Sequence, residues 1–293
     1  MKVLDNIKMK IYKNFDLKNY NSYKIKSKCN IAYFPESETD LINIYKSKKP
    51  FFLLGTGHNI ILSKEYYEES FVILNGNFNN VKIDIEKGII ESESGITMLE
   101  LSSLVLERGL SGLEIFYDIP SSLGGAVVMN AGASGEEIKD VLLKVRYLDL
   151  DDMKLKEINN SKIGFEYRNS FFQKYTNKVI LKVWLQLKKD NRILIWHKMT
   201  AIKEKRWSKQ PKEFPNAGSV FKRPKEGFVG PMLDELNLKG LRIGGAMVSK
   251  KHSGFIVNYN NATGLDILTL IDEIKLRVKY HFNIDLEVEQ RII

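Results

Sequence analysis

The sequence predicts an α+β protein, and three patterns carry that expectation: a hairpin-like alternation at Val81–Glu93, a strand-like alternation at Val179–Leu187, and a helical spacing opened by Thr263. In the first, Val81-Lys82-Ile83-Asp84-Ile85 alternates apolar and polar residues, turns at Lys87-Gly88 and returns over Ile89–Glu93. Thr97 with Glu100 three residues on then predicts a capping box, and Leu99, Leu101, Leu104 and Val105 supply an apolar helix face that Gly109 ends. Strands follow at Val141–Leu150 and Val179–Leu187, where the period of two predicts one shared face for Val179, Leu181, Val183, Leu185 and Leu187. Upstream, the short apolar runs Phe51–Leu54 and Phe71–Leu74 flank polar or helical stretches and predict a small α/β unit between Ile31 and Leu74. In the last third, Thr263 and Asp266 open a helix carrying Ile267, Leu268, Ile271, Ile274 and Val278. A terminal strand, Asp285–Ile293, closes the chain, with Leu286 and Val288 on one face and Glu287 and Glu289 on the other; on spacing alone Glu289 reads as an exposed strand carboxylate.

The 293 residues, 43% of them apolar, suffice for a substantial core divided among two or three packed units. No stretch approaches the roughly 20 uninterrupted apolar residues of a membrane helix. The opening Met1–Tyr20 scatters Lys2, Lys8, Lys10, Lys13 and Asp16 through any signal core, so a cytoplasmic address is expected. Cys29 is the only cysteine, which excludes an internal disulfide framework and multi-cysteine metal sites and leaves it as a small filler. His58, His197, His252 and His281 never fall at i, i+4, and no metal is expected. A net charge of +9 favours polyanionic partners, dinucleotides and nucleotide sugars as much as nucleic acid. The densest basic cluster, Lys203-Glu204-Lys205-Arg206, contains a carboxylate and reads as a solvated helix face.

Two glycine-rich segments stand out. Gly55-Thr56-Gly57-His58-Asn59 follows an apolar run and precedes Ile60-Ile61-Leu62, so its glycines sit where a strand ends in a tight loop that exposes N–H groups to an anion. It lacks the third glycine of a dinucleotide fingerprint and the lysine of a P-loop, and a plain turn has the same composition. Pro120-Ser121-Ser122-Leu123-Gly124-Gly125-Ala126 runs into Val127-Val128-Met129-Asn130-Ala131-Gly132-Ala133; such a density of small residues permits close approach to a flat or phosphorylated ligand, or tight helix packing.

Taken together, these segments resemble the UDP-N-acetylenolpyruvoylglucosamine reductase family in order and spacing over nearly the whole chain. The resemblance continues through Gly109-Leu110-Ser111-Gly112-Leu113-Glu114, Tyr167-Arg168-Asn169-Ser170 and Asn216-Ala217-Gly218-Ser219-Val220-Phe221. It closes on Lys239-Gly240, Gly244-Gly245-Ala246, Asn258 with Ala262-Thr263, and Leu286-Glu287-Val288-Glu289-Gln290-Arg291. The chain resembles the family's compact subtype, having no insertion in its last third.

The resemblance implies a vanillyl-alcohol-oxidase-type FAD-binding fold with a C-terminal α+β substrate domain. The implied division is 1–76 and 77–190 for two FAD-binding subdomains and 191–293 for the substrate domain, its terminal strand returning to the active site. It also implies noncovalent FAD, NADPH as hydride donor and a nucleotide-sugar substrate, in a cytoplasmic, monomeric enzyme without nucleic-acid or membrane partners. Gly55, Thr56, Gly57, His58, Asn59, Ile119, Pro120, Ser121, Ser122, Gly124, Gly125 and Ala126 would hold the FAD pyrophosphate, with Asn130 and Gly132 beside the flavin ring. Arg168, Ser219 and Glu289 match the family's catalytic positions, and Arg206, Lys209, Lys222, Arg223, His252 and Arg291 are candidates for diphosphate or carboxylate contacts. The chain departs from the family pattern at Lys26, Ser27, Asp118, Ser121 and Arg223. Competing readings are an oxidase or dehydrogenase of the same flavin fold with another substrate, and a basic nucleic-acid-binding module, which would be colourless.

Overall fold

The computed structural model describes residues 9–47 and 49–293, so the lysines at positions 2 and 8 that weighed against a signal peptide lie outside the described residues. Two compact units are resolved: one built from the chain up to Lys13, Ile31–Thr56 and Glu69–Lys203, the other from Asn14–Asn30, Gly57–Glu68 and Glu204–Ile293.

The first unit is organised by an antiparallel sheet with strand order Lys154–Asn159, Leu142–Asp149, Lys178–Gln186, Ile89–Glu93, Val81–Asp84. The expected hairpin is present, Ile83 opposite Ile90 and Val81 opposite Ser92. Helix Met98–Glu107 follows, with Thr97 as its N-cap; the Thr97 hydroxyl accepts from Glu100 N–H at 3.1 Å, the half of the expected capping box that relieves a helix donor. One face of the sheet packs Ile90, Val145, Val183 and Leu185 against Leu101, Val105, Leu123 and Val127. The other packs Leu148, Val179 and Leu181 against Leu41 and Ile44 of helix Glu38–Lys46 and against Val72 and Leu74. Strand Ser70–Ile73 is flanked in parallel by Phe51–Leu54 and by the Ala32–Tyr33 stretch, which is the expected small α/β layer.

The shared face expected for Val179 to Leu187 is split. Arg146 pairs with Lys182 but Tyr147 with Ile180, so Leu181 is an extra residue, a β-bulge. Crossing a bulge reverses which parity points where. Val179 and Leu181 therefore face the helix Glu38–Lys46 layer, whereas Ile180, Val183, Leu185 and Leu187 face the opposite core.

The second unit contains helix Gly264–Phe282, whose capping box is complete: Thr263 Oγ accepts from Asp266 N–H and Asp266 Oδ2 from Thr263 N–H. Ile267, Leu270, Ile271, Ile274 and Val278 are buried beneath it. An antiparallel three-stranded sheet, Arg242–Ile243, Ala246–Val248 and Ile256–Asn258, lies in the same unit. The nine-residue terminal strand expected from alternation is not continuous. Val288 forms an isolated antiparallel bridge with Phe221, and only Arg291–Ile292 is regular strand, parallel to Ile60–Ile61. Alternation survives because successive stretches of one extended segment pair with different partners.

Cys29 is fully buried in this unit, and burial pushes its thiol up to about 11, which suits a filler and not a nucleophile.

Candidate active site

In the first unit the bulge is the start of a chain of contacts. Ser94 N–H donates to Leu181 O at 2.9 Å and Ser94 Oγ to Ile180 O at 2.8 Å. Ser94 O in turn accepts from Gly124 N–H at 2.9 Å, and a Cβ on Gly124 would stand 3.0 Å from the Ser94 Cβ. Leu123 N–H donates to Ile96 O, and Met98 N–H to Ser121 O, so Pro120–Gly124 is laid along Ile96–Met98. Ser122 caps helix Leu123–Val128 by accepting from Gly125 N–H at 3.2 Å. Gly55 packs on that cap: a Cβ there would meet Ser122 Oγ at 2.4 Å. The fold thus brings Gly55 and Pro120–Ala126 together.

These residues fit a flavin dinucleotide. Gly125 is exposed between buried Gly124 and Ala126, and Ser121 Oγ is buried without a hydrogen-bond partner, an orphan that a ligand oxygen would satisfy. Ile119 is half-buried and Pro120 exposed beside it.

Asn130 and Arg168 lie together in the same unit. Tyr167 and Arg168 form the tip of a tight turn between Glu166 and Asn169, which exchange backbone hydrogen bonds at 3.1 and 3.2 Å. Arg168 (φ 52) and Asn130 (φ 44) both adopt the left-handed backbone that non-glycine residues avoid, at a cost of order 1 kcal/mol each. The guanidinium donates to Asn130 O at 3.3 Å and Gly132 O at 3.0 Å and lies 5.2 Å from the Tyr167 ring centre. Asn130 is fully buried; its amide donates to Glu137 Oε2 and Glu166 O, which locks the strained loop. Arg168 is therefore fixed against the backbone of Asn130–Gly132.

In the second unit Gly57 (φ +70) approaches Tyr20 so closely that a Cβ would overlap its carbonyl oxygen at 2.0 Å, and Ser22 N–H donates to Gly57 O. His58 and Asn59 are half-buried. Asn59 Nδ2 donates to Glu289 O at 3.2 Å, and Arg291 N–H to Asn59 O at 2.9 Å, so this loop abuts the chain's closing segment. Ser219 and Glu289 are brought together by a short ladder in which Lys222 N–H donates to Glu287 O and Glu289 N–H to Val220 O. Ser219 is exposed and Glu289 half-buried, so spacing alone overstated the exposure of Glu289.

The substrate candidates all belong to this unit. Lys222 is ion-paired with Glu287, Arg223 lies 4.3 Å from the Phe228 ring centre, and Arg206 donates to Gln210 at 3.3 Å. Lys209 and Arg291 are exposed. His252 is half-buried, its pKa lowered by that burial, and its Nδ1 accepts from Gly254 N–H at 3.1 Å, the role of a neutral imidazole. Of the departures, Ser27 is accounted for: it is buried and its hydroxyl donates to Lys64 O at 2.8 Å.

Two residues without an assigned role emerge in the second unit, Gln290 and Tyr23. The signal was a polar residue continuing the Leu286, Val288 alternation into the buried side.

The α+β architecture is that of an FAD-binding flavoprotein of the vanillyl-alcohol-oxidase type, and residues 30–158 match an FAD binding domain. Residues 210–293 match the C-terminal domain of UDP-N-acetylenolpyruvoylglucosamine reductase. The chain is 40% identical to the UDP-N-acetylenolpyruvoylglucosamine reductase of Francisella tularensis, over 94% of this chain and 98% of that one. It is 41% identical to the Petrotoga mobilis enzyme of the same name, over 96% and 94%. The crystal structure of UDP-N-acetylenolpyruvylglucosamine reductase from Thermus caldophilus superposes with a TM-score of 0.81 at 29% identity, covering 97% of this chain and 98% of that one. The chain belongs to the UDP-N-acetylenolpyruvoylglucosamine reductase family. No described helix is long and apolar enough to cross a membrane.

Proposed function

We propose that the protein reduces UDP-N-acetylglucosamine enolpyruvate to UDP-N-acetylmuramate in peptidoglycan precursor synthesis, with NADPH as hydride donor. FAD, when bound, would supply the hydride-relay chemistry between NADPH and the terminal carbon of the enolpyruvyl group. Gly55–Asn59 and Ile119–Ala126 would hold the FAD pyrophosphate, noncovalently, and Asn130 and Gly132 would serve the flavin ring.

Hydride addition drives negative charge onto the adjacent carbon and its carboxylate, which fixed donors must meet. Arg168 presents a planar, always-charged fork whose left-handed backbone and carbonyl contacts pre-set its direction. Glu289, protonated or bridged to a cation, supports the same charge. The Ser219 hydroxyl gives its proton to the enolate-like carbon, completing the lactyl ether, and is re-protonated from solvent; serine suffices only because that carbon is strongly basic. The diphosphate is met by Arg206, Lys209, Lys222, Arg223, His252 and Arg291. By role, 1–76 and 77–190 serve FAD and 191–293 the nucleotide sugar. The enzyme works in the cytoplasm, where its nucleotide substrates are made, and as a monomer, which sedimentation tests.

The observation that carries the residue assignment is the ladder that puts Glu289 beside the Ser219 segment. Stopped-flow absorbance of Ser219→Ala tests it. NADPH should bleach the flavin at a near-normal rate, while reoxidation by the enolpyruvyl substrate slows by about 10²–10⁴-fold, the span of a lost general acid. Equal slowing of both steps would show that Ser219 shapes the site without donating the proton.

A further inference from the structure

Gln290 is 3% exposed, directly follows Glu289, and places one carboxamide against three consecutive backbone carbonyls. Its Nε2 lies 3.1 Å from Ala217 O, 3.2 Å from Gly218 O and 3.3 Å from Ser219 O. Its Oε1 accepts from the Tyr23 hydroxyl at 2.9 Å. The orientation of the amide is chemically fixed: carbonyls only accept, so the NH2 must face them and the oxygen must face the phenol. Tyr23 is fully buried, and burial pushes its phenol well above the usual range, so it stays a donor at any working pH. Tyr23 is anchored in turn, its carbonyl accepting from Asn258 Nδ2 at 2.7 Å while Asn258 Oδ1 accepts from Ala262 N–H at 2.8 Å.

The same segment is also held by Gly218 N–H on Asn216 Oδ1 at 3.1 Å and by a bridge between Ser219 and Phe255, but the Gln290 amide is the group that spans all three of its carbonyls. Ser219 is exposed, and a Cβ at Gly218 would find nothing within 4 Å. We propose that Gln290, oriented by Tyr23, is a positioning residue that clamps the Ala217–Ser219 backbone and so aims the Ser219 hydroxyl at the carbon it protonates. The proposal rests on the proton-donor reading of Ser219. It explains a buried amide where a leucine would fill the same space, and it ties Ser219 to Glu289 through adjacent residues of one segment.

The test uses the FAD-loaded full chain. Gln290→Leu keeps volume and removes the amide; Tyr23→Phe keeps the ring and removes only the orienting hydroxyl. Flavin reduction by NADPH should stay near the parent rate in both. Reoxidation by UDP-N-acetylglucosamine enolpyruvate should slow about 10–100-fold in Gln290→Leu and about 3–10-fold in Tyr23→Phe, as expected for a misaimed catalytic group. Substrate affinity should change less than about threefold. In a Ser219→Ala background, Gln290→Leu should slow reoxidation by less than about twofold more, because the clamp acts only through the hydroxyl. Unchanged reoxidation in folded Gln290→Leu, an equal loss in flavin reduction, or full additivity with Ser219→Ala would overturn the proposal. If Gln290→Leu fails to fold, Tyr23→Phe carries the same comparison. If Ser219→Ala alone leaves reoxidation intact, the proton-donor reading falls, and amide hydrogen exchange at Gly218–Val220 judges the clamp separately: faster exchange in Gln290→Leu upholds it, and unchanged exchange removes it.

Discussion

The same tripeptide, Gly-Gly-Ala, occurs at 124–126 and at 244–246; the first glycine of each copy is packed against protein, at Ser94 and at Asp266, but the second glycines differ. At Gly244 (φ +52) a Cβ would stand 2.2 Å from the Asp266 carboxylate, and at Gly245 one would stand 2.2 Å from Asn260 O and 2.5 Å from Ala262 N. Here the protein itself occupies the space that glycine leaves. At Gly125 the one close neighbour of a Cβ among the described residues would be Ser122 Oγ at 3.2 Å, the residue is exposed, and the hydroxyl of Ser121 nearby is buried without a hydrogen-bond partner among them. The room there is left for something else. A glycine pair indicates a ligand only where the polypeptide has not already filled the gap, and that is a property of the fold.

Substitutions at the two copies test this contrast. The largest effect is expected for Gly245→Ala, which drives a methyl into backbone and should cost about 3 kcal/mol or more in denaturant unfolding. FAD affinity of the remaining folded fraction should be unchanged; near-parent stability would break the comparison. Gly125→Ala should do the reverse. Its stability should hold or rise by roughly 0.5 kcal/mol, since alanine favours the helix, while FAD binding weakens roughly tenfold, about 1.4 kcal/mol. Flavin fluorescence titration reads this, and parent-like affinity would remove Gly125 from the cradle. The smallest effect concerns acid. Burial pushes Asp266 up, but the N–H groups of Thr263 and Gly245 outweigh it and hold the carboxyl below the usual range. Its stabilisation is therefore complete above the ordinary unfolded value of about 3.9 and is lost as pH falls through the lower folded value. Asp266→Asn should flatten the acid limb of thermal stability below about pH 4. An acid limb identical to the parent's would show that the carboxylate contributes nothing there.

Elements decided by neighbouring residues were legible. The Val81–Glu93 hairpin, the Thr97-capped helix and the Thr263–Asp266 box follow from local hydrogen bonding and periodicity. What escaped was decided at a distance. Nothing within Val179–Leu187 announces a bulge; it arises from registry with Arg146 and Tyr147 on another strand. The Asp285–Ile293 alternation could not say that its partners change from Phe221 to Ile60 along the way. The candidate site shows the same divide. Gly55, Ser122 and Arg168 are readable as motif members because the resemblance orders them, whereas Gln290 also lies within a motif but its contacts depend on three carbonyls that the fold brings around its amide.

The bulge at Leu181 also sets an order of assembly. Ser94, which braces the opening of the Gly124 helix, finds its acceptors among the described residues in Ile180 O and Leu181 O, residues synthesised 86 or more positions later. Closing so long a loop is slow and entropically unfavourable before the sheet around it exists. A ribosome that has made Gly55 and Pro120–Ala126 has not yet made this brace. On the proposed assignment of these residues to FAD, the nascent chain waits for the strand Lys178–Gln186 before it can hold the cofactor, and truncations that stop short of Ile180 should be colourless even though they retain Gly55 and Pro120–Ala126.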